Sequence, residues 1–491
     1  MSPQKKQSSK MKASAPRKAK DSGKAERKKK GALRAPKAKT TIQGPGKSSS
    51  DDKKEKKAAT KSSSLALIRG MKDLLPQQSE LWTRIYHTAE AVAKAYEYTY
   101  IETPIVEQAS LFVRSLGKGT DVVEKEMYIF EDADGTKVCL RPELTAAVAR
   151  AYIMHGMQTL PQPVKIWNWG PMFRHNRPQA GRYREFHQFD CEHIGEHSPV
   201  VDAELISVAY NTLRDLGIES TVRVNSIGTL ADREQYVVEL LGYLKSKRSY
   251  LSEQSKKRMH KNPLRVLDSN EEEDLPIIEE APEILDWLSE ESKSYFTSVL
   301  EYLDAAEIPY VLTPSLVRGL DYYTDTVFEI VEDNVEKSAQ SSLAGGGRYN
   351  GLIELLGGAP TPAAGFAMGI ERVYAALQKK SKQEEPQPGV PKKSSTPVVF
   401  FAQLGEQGRK RALYLLEQLR RDGILVYHNL AKSSLKAQLE SANKRGVTHA
   451  LILGQKEVQD STILIRDMES GIQEVVDQGK LKNSLRKLLQ L

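Results

Sequence analysis

Apolar residues recur at helical spacing through residues 79–96, SELWTRIYHTAEAVAKAY, with Ser79 placed to cap the first turn. A strand-like run from Tyr98 to Ile105, broken at Pro104, follows. In MYIFEDADGTKVCLRPELTAAVARAY two strand patterns flank the turn Asp134-Gly135 and lead into a helix, which predicts a hairpin presenting Arg141 to Thr145 at its exit. A second hairpin is predicted about Gly181. There Phe173 to Glu192, FRHNRPQAGRYREFHQFDCE, gathers four arginines and then alternates Phe186, Gln188 and Asp190, carrying polar residues to one face at every second position. Strand periodicity lapses over 231–312, a charged, helix-rich stretch that reads as an insertion, punctuated by NPLRVLDS and the acidic Asn270 to Glu273. It resumes at Val311. LVRGLDYYTDTVFEI (Leu316 to Ile330) and AGGGRYNGL (344–352) read as strands entering turns, and GFAMGIERVYAAL (Gly365 to Leu377) as a short strand passing into a helix. Beyond a polar, proline-bearing linker at 379–396, PVVFFAQL, a helix from Glu406 to Arg421, ILVYHNL, a helix from Ser433 to Lys444, HALILG, STILIRD and a last basic helix predict a small α/β domain in β-α-β-α-β order.

The length of 491 residues accommodates about three domains. Two cysteines, Cys139 and Cys191, are too few for a disulfide framework and lack metal-ligand spacing, so a reducing compartment without structural zinc is expected. His193 and His197 have no companion ligands at suitable spacing. No apolar run reaches membrane-spanning length and no signal-peptide core follows the start, so no membrane partner is expected. Charge is unevenly placed. Residues 1–62 hold 21 Lys or Arg against 5 Asp or Glu, a balance of +16, so the chain's net +8 leaves −8 for the rest. That tail has almost no large apolar residue and is expected to be disordered, attracting phosphate backbones or serving solubility and localisation, with Lys28 to Lys30 as a nuclear-import candidate. Asp21, Glu26 and Asp51 weaken its reading as an organelle presequence. Gly46, Lys47 and Ser48 imitate the end of a phosphate-binding loop, but Thr41 stands at the first glycine position and no strand precedes it.

The residues that carry chemistry are of two kinds. Arginines in a folded hairpin hold anionic oxygens in a rigid fork, whereas a solvated basic loop would leave the interleaved Phe173, Phe186 and Phe189 without a purpose. Glu143, at the mouth of the first hairpin, either receives a cationic or N–H group of a ligand or stabilises the N-terminus of the helix after it. Tyr322, Tyr323 and Tyr349 offer hydroxyls and ring faces, and Gly345 to Gly347 allow close approach.

Several of these segments resemble motifs of one enzyme family. RPQAGRYREFHQ resembles motif 2 of the class II aminoacyl-tRNA synthetases in the form found in histidyl-tRNA synthetases. RGMKDLLP (Arg69 to Pro76) resembles the segment that opens their fold, YIETPIVEQASLF their motif 1, RPELTA their amino-acid-binding segment, and GFAMGIERVYAAL their motif 3. LVRGLDYYTDTVFEI and AGGGRYNGL match the two signatures peculiar to histidyl-tRNA synthetases. The resemblance spans roughly residues 65–491. It implies an α+β catalytic domain on a mixed, mainly antiparallel sheet, with a helical insertion and a C-terminal α/β anticodon-binding domain. The corresponding divisions are a tail at 1–63, catalytic core at 64–230 and 313–378, insertion at 231–312, linker at 379–396 and anticodon-binding domain at 397–491.

The activity it implies is ATP-dependent ligation of L-histidine to tRNA(His) through a histidyl-adenylate, with ATP and Mg²⁺ required, the number of metal ions open, and a homodimer in the cytoplasm with the mitochondrion as an open second compartment. Carried over onto this chain, Arg318 and Arg174 are catalytic. The histidine site comprises Glu143, Leu144, Thr145, Arg174, Gln188, Glu192, Arg318, Tyr322, Tyr323 and Tyr349. ATP is bound by Arg174, Arg182, Phe186 and Arg372, and the tRNA acceptor end meets Arg177, Gln179 and Arg182. Two rival classes are a synthetase-like regulatory subunit that binds histidine without charging tRNA, and an inert RNA-binding or kinase-sensing module. Such regulatory subunits typically lack the catalytic arginines and the C-terminal domain, and this chain has both.

Overall fold

A computed structural model of the chain describes residues 65–117, 119–177, 181–333, 342–383 and 399–489. The basic tail with Lys28 to Lys30, the Gly46-Lys47-Ser48 decoy, Gln179 and most of the linker lie outside the described residues. The fold opens with helix α1 (Pro76–Ala95), strands β1 (Thr99–Tyr100) and β2 (Val106–Gln108), helix α2 (Ala109–Leu116), and the hairpin β3 (Ile129–Glu131) and β4 (Lys137–Leu140). Helix α3 (Thr145–Met154), the long hairpin β5 (Val164–Phe173) and β6 (Glu185–Ile194), helix α4 (Pro199–Asp215) and strand β7 (Ser220–Ser226) follow. Helices α5 (Leu230–Ser246), α6 (Glu253–Lys261), α7 (Leu275–Glu279) and α8 (Glu290–Ala305) lead to β8 (Tyr310–Leu312) and β9 (Thr324–Glu332). The catalytic part closes with β10 (Ser342–Arg348), α9 (Leu352–Leu355), β11 (Ala363–Gly369) and α10 (Ile370–Gln383), the last running five residues into the stretch read as linker.

Eight strands form one sheet in the order β1-β5-β6-β11-β10-β9-β7-β8. Its interior pairings are antiparallel, and only the outermost pairs, β1 with β5 and β7 with β8, are parallel. On one face α1, α4, α8 and α10 pack against Phe189, Phe328 and Phe366, where each buried aromatic contributes about 1.5–3 kcal/mol. The alternation along β6 sends Phe189 and Cys191 into that core and turns Gln188, Asp190 and Glu192 to the opposite face. There α2, α3, α5 and the residues from Leu251 to Ile284 build a second core that also holds Tyr322, Tyr323 and Tyr349. The segment 231–312 is thus shared: α5 to α7 join the second core, while α8 packs its Phe296, Val299 and Leu303 into the first and β8 extends the sheet.

Two local expectations are corrected. Helix α1 starts at Pro76, not Ser79, because proline fits a first turn whose N–H groups have no helical acceptor, and the Gln78 side chain accepts from the Leu75 N–H at 3.0 Å. Ser79 instead donates its hydroxyl to the Pro76 carbonyl at 2.7 Å. The run Tyr98 to Ile105 contributes only β1 to the large sheet. Pro104 has no N–H to pair, and beyond it the chain crosses to the small sheet β2-β4-β3.

The C-terminal part contains β12 (Val399–Gln403), α11 (Gly405–Arg421), β13 (Tyr427–His428), α12 (Leu435–Lys444), β14 (His449–Leu453), α13 (Gln455–Gln459), β15 (Thr462–Asp467), β16 (Gln473–Asp477) and α14 (Leu481–Leu489). Its sheet runs β13-β12-β14-β15-β16. The expected α/β order is present, with α13 and the edge strand β16 in addition; QEVVD buries Val476 alone and is too short to announce itself.

Candidate active site

A cleft of about 620 Å³ opens on the polar face of the large sheet. Glu143, Leu144, Thr145, Arg174, Arg182 and Phe186 line it from the two hairpins, Gln188 from β6, Arg318, Tyr322 and Tyr323 from the loop before β9, and Arg372 from α10. Segments separated by more than 200 residues in the chain therefore meet at one place. Glu192 and Tyr349 are placed differently from the expectation: they are buried, 1% and 2% exposed, and do not line the cleft. Thr145, which does line it, donates its hydroxyl to Glu192 Oε1 at 2.6 Å, and the Tyr349 hydroxyl donates to Glu192 Oε2. Arg177 is exposed on the hairpin loop, and Gln179 lies among its undescribed residues.

The floor is acidic and buried. Burial pushes the Glu192 carboxyl up to about 8 despite the hydrogen bonds from Thr145 and Tyr349. Burial likewise raises Glu143 and raises Asp190 well above the carboxylate range, in the latter case with Glu192 adding to the effect. Glu143 Oε1 accepts the Ala146 N–H at 3.0 Å at the start of α3, the helix-stabilising arrangement expected of it, and Glu143 also lines the cleft. The tyrosine rings pack together beside these carboxyls, Tyr322 and Tyr323 tilted with centroids 4.7 Å apart and Tyr349 edge-on to Tyr322 at 5.6 Å.

Around this floor stands a ring of guanidinium groups. Arg174 donates Nε to the Pro142 carbonyl at 2.8 Å and lies over the Phe186 ring, 5.4 Å from its centroid. Arg372 donates to the carbonyls of Ser342 at 2.6 Å and Gly181 at 3.4 Å, which binds α10 to the arginine hairpin. Burial and the neighbouring Arg182, Arg174 and Arg318 lower the affinity of Arg372 for its proton. Guanidinium groups this close repel one another, and a multivalent anion relieves the repulsion. Burial also works against the charge of Arg318, but Tyr323, Glu329 and Asp268 outweigh it. Its NH1 is 3.5 Å from Glu329 Oε1, and its buried Nε has no partner.

Two glycines make this arrangement possible by lacking a side chain. A Cβ on Gly345 would lie 2.6 Å from the Arg318 Cζ, and one on Gly365 would lie 2.6 Å from the Glu192 Cδ. Residues outside the expected set also take part. Asp190 and Glu329 line the cleft, and Arg265 and Asp268 reach it from the segment containing NPLRVLDS. Glu371, beside Arg372, accepts the His187 backbone N–H at 2.9 Å and lies 3.0 Å from its Nδ1, fixing the strand next to Phe186. Asp190 was visible in the alternation of β6; the insertion residues carried no comparable local signal.

A mainly antiparallel sheet whose hairpin arginine, loop arginine and helix arginine surround one acidic cleft, with no phosphate-binding loop among the described residues, defines a class II aminoacyl-tRNA synthetase. A family model described as histidyl-tRNA synthetase matches residues 70–373, and one described as anticodon binding domain matches residues 398–488. A histidine–tRNA ligase of Synechococcus sp. (strain JA-3-3Ab) is 42% identical over 415 residues, covering 84% of this chain and 97% of that protein. The crystal structure of apo Staphylococcus aureus histidyl-tRNA synthetase superposes with a TM-score of 0.70 at 34% identity, covering 86% of this chain and 99% of that one. An ATP phosphoribosyltransferase regulatory subunit/histidyl-tRNA synthetase from Bacillus halodurans shares the fold at 20% identity and a TM-score of 0.57, with 78% and 97% covered. The chain belongs to the histidyl-tRNA synthetase family and is an ATP-dependent histidine–tRNA ligase. No helix among the described residues is long and apolar enough to cross a membrane.

Proposed function

We propose that the cleft forms histidyl-adenylate by positioning and electrostatics, with Arg318 and Arg174 in the catalytic roles. Histidine sits over the acidic floor. Its ammonium and imidazole N–H groups meet Glu143, Gln188 and the Thr145–Glu192–Tyr349 network, Leu144 packs beside it, and Tyr322 and Tyr323 give ring faces to the imidazole. Its carboxylate attacks the α-phosphate of ATP and displaces diphosphate as the α–β phosphoanhydride bond breaks, and Arg318 and Arg174 stabilise the charge that develops there. The adenine rests on Phe186, while Arg182 and Arg372 hold the outer phosphates. No side chain forms a covalent intermediate; a terminal ribose hydroxyl of tRNA(His) then attacks the histidyl carbonyl of the adenylate and releases AMP, the acceptor end being met by the loop bearing Arg177 and Gln179.

The residues fit a Mg²⁺ ion that arrives with the triphosphate, because Mg²⁺ keeps several waters and needs only one or two carboxylates beside phosphate oxygens. No group of three or more potential ligands stands together among the described residues, and Glu329 is the carboxylate beside Arg318 that would hold the ion. Its contribution when bound is neutralisation of phosphate charge. A cytoplasmic homodimer, with a mitochondrial pool as a second compartment, completes the reading.

The observation that carries this proposal is the convergence of Arg174, Arg318 and Arg372 on one cleft floored by Glu143 and the tyrosines. Histidine-dependent ATP–pyrophosphate exchange tests it. Arg318→Ala is expected to lose exchange by roughly 100-fold or more, as when one oxyanion donor is removed, with Tm unchanged; wild-type exchange in this variant refutes the assigned role. Sedimentation of the purified protein tests the dimer.

A further inference from the structure

Residues 122–126, between α2 and the first hairpin, form a single π-helical turn, Val122–Glu126, closed by the Met127 N–H on the Val122 carbonyl at 3.1 Å. Such turns are uncommon and concentrate where local geometry serves a site. This one has charged groups facing in two directions. At its start, Asp121 Oδ2 accepts from Arg258 of α6 at 3.1 Å and stands 3.7 Å from Arg265, and Lys261 of α6 bonds to Glu124 at 2.8 Å. At its end, the Glu126 carbonyl accepts the His175 N–H at 2.7 Å, the Asn176 side chain lies against the Glu126 carboxylate, and that carboxylate helps keep Arg174 charged. The turn itself lines the cleft through Asp121, Val122 and Glu126.

The insertion also grips the loop that carries Arg318. Arg265 lies against Gly319, where a Cβ would stand 2.8 Å from its NH1, and that NH1 is buried with no partner. Asn262 donates to Asp321 Oδ1 at 3.1 Å. One end of the insertion is therefore tied both to the Arg318 loop directly and to the Arg174 segment through the π-helical turn.

We propose that residues 121–126 are a positioning strut through which the seating of the insertion module sets the geometry of Arg174 and Arg318, with Asp121, Glu126 and Arg265 as its positioning residues. None of the three needs to touch substrate. The inference rests on the assignment of Arg174 and Arg318 to the adenylation step. A strut of this kind makes the first half-reaction depend on a helical module that otherwise stands beside the cleft. Anything that shifts α6, including a nucleic acid docked on the insertion, would then alter adenylate formation.

The test is ATP–pyrophosphate exchange on the full chain with Glu126→Gln, Arg265→Ala, their combination, Arg318→Ala and Lys247→Ala, the last breaking an exposed pair with Glu280 inside the insertion. Arg265→Lys, which keeps charge and stem but loses the fork, replaces the alanine variant should that fail to fold. Expected are losses of roughly 10- to 100-fold in kcat for Glu126→Gln and Arg265→Ala, the scale of a small displacement of catalytic groups. Tm and KM for histidine should stay near wild type, Lys247→Ala should be unaffected, and the double variant should lose little more than the worse single one. Wild-type kcat in either single variant, or losses that multiply in the double, overturns the strut. Full exchange in Arg318→Ala overturns the underlying assignment as well, whereas its loss beside unaffected strut variants removes the strut alone.

Discussion

Replacing Glu192 by Gln isolates the electrostatic cost of the pocket floor. In the free protein burial lifts this carboxyl from its ordinary 4.5 to about 8, so between those values the unfolded chain ionises while the folded one keeps its proton. The unfolded state then binds fewer protons, and stability falls as pH rises. The whole interval corresponds to about 5 kcal/mol, of which about 3 kcal/mol has accumulated by pH 7. Glutamine cannot ionise and escapes this loss. At pH 5 the two proteins should differ by no more than about 1 kcal/mol, the worth of a rearranged hydrogen bond to Thr145 or Tyr349. Toward pH 8 the variant should become the more stable, its Tm advantage growing by several degrees at about 2–4 °C per kcal/mol. Differential scanning calorimetry without histidine, at intervals from pH 5 to 8.5, measures the gap. A difference that stays constant over that range would mean that Glu192 is already ionised in the empty pocket, and the argument from burial would be wrong.

Three further outcomes follow from the geometry. Gly365→Ala drives a methyl group into the Glu192 carboxylate and to 2.7 Å from the Cys191 carbonyl, so it should cost about 1–3 kcal/mol and raise KM for histidine more than KM for ATP, read by melting and exchange kinetics. Arg372→Ala should raise KM for ATP about 10- to 100-fold, the worth of charge-assisted hydrogen bonds, while leaving KM for histidine nearly unchanged. The fully buried Arg348 donates to Asp202 Oδ1 from Nε at 2.9 Å and NH2 at 2.6 Å, so Asp202→Ala should lower stability by about 3–5 kcal/mol in urea unfolding, because an uncompensated buried charge remains.

How much of this protein was legible beforehand depended on distance along the chain. The alternation on β6 lies within one strand, so the polar face formed by Gln188, Asp190 and Glu192 was readable directly, as were the turn at Gly135 and the helix after Thr145. Capping was read less well. Ser79 and Gln78 are both polar residues at the start of α1, and only the backbone path at Leu75 decides which of them serves it.

The rest waited for the folded chain. That Thr145, Glu192 and Tyr349 share one buried hydrogen-bond network depends on a helix start and two strands meeting, and no local pattern reports such a meeting. The same holds for the displaced proton affinities of Glu143 and Asp190, since burial arises from the packing of distant segments. Residue types and periodicity specified the chemistry available and the faces that would carry it. Which groups became buried neighbours, and that Arg265 and Glu126 reach the arginines' supports, was decided by tertiary packing, because desolvation and short-range electrostatics act through space rather than along the backbone.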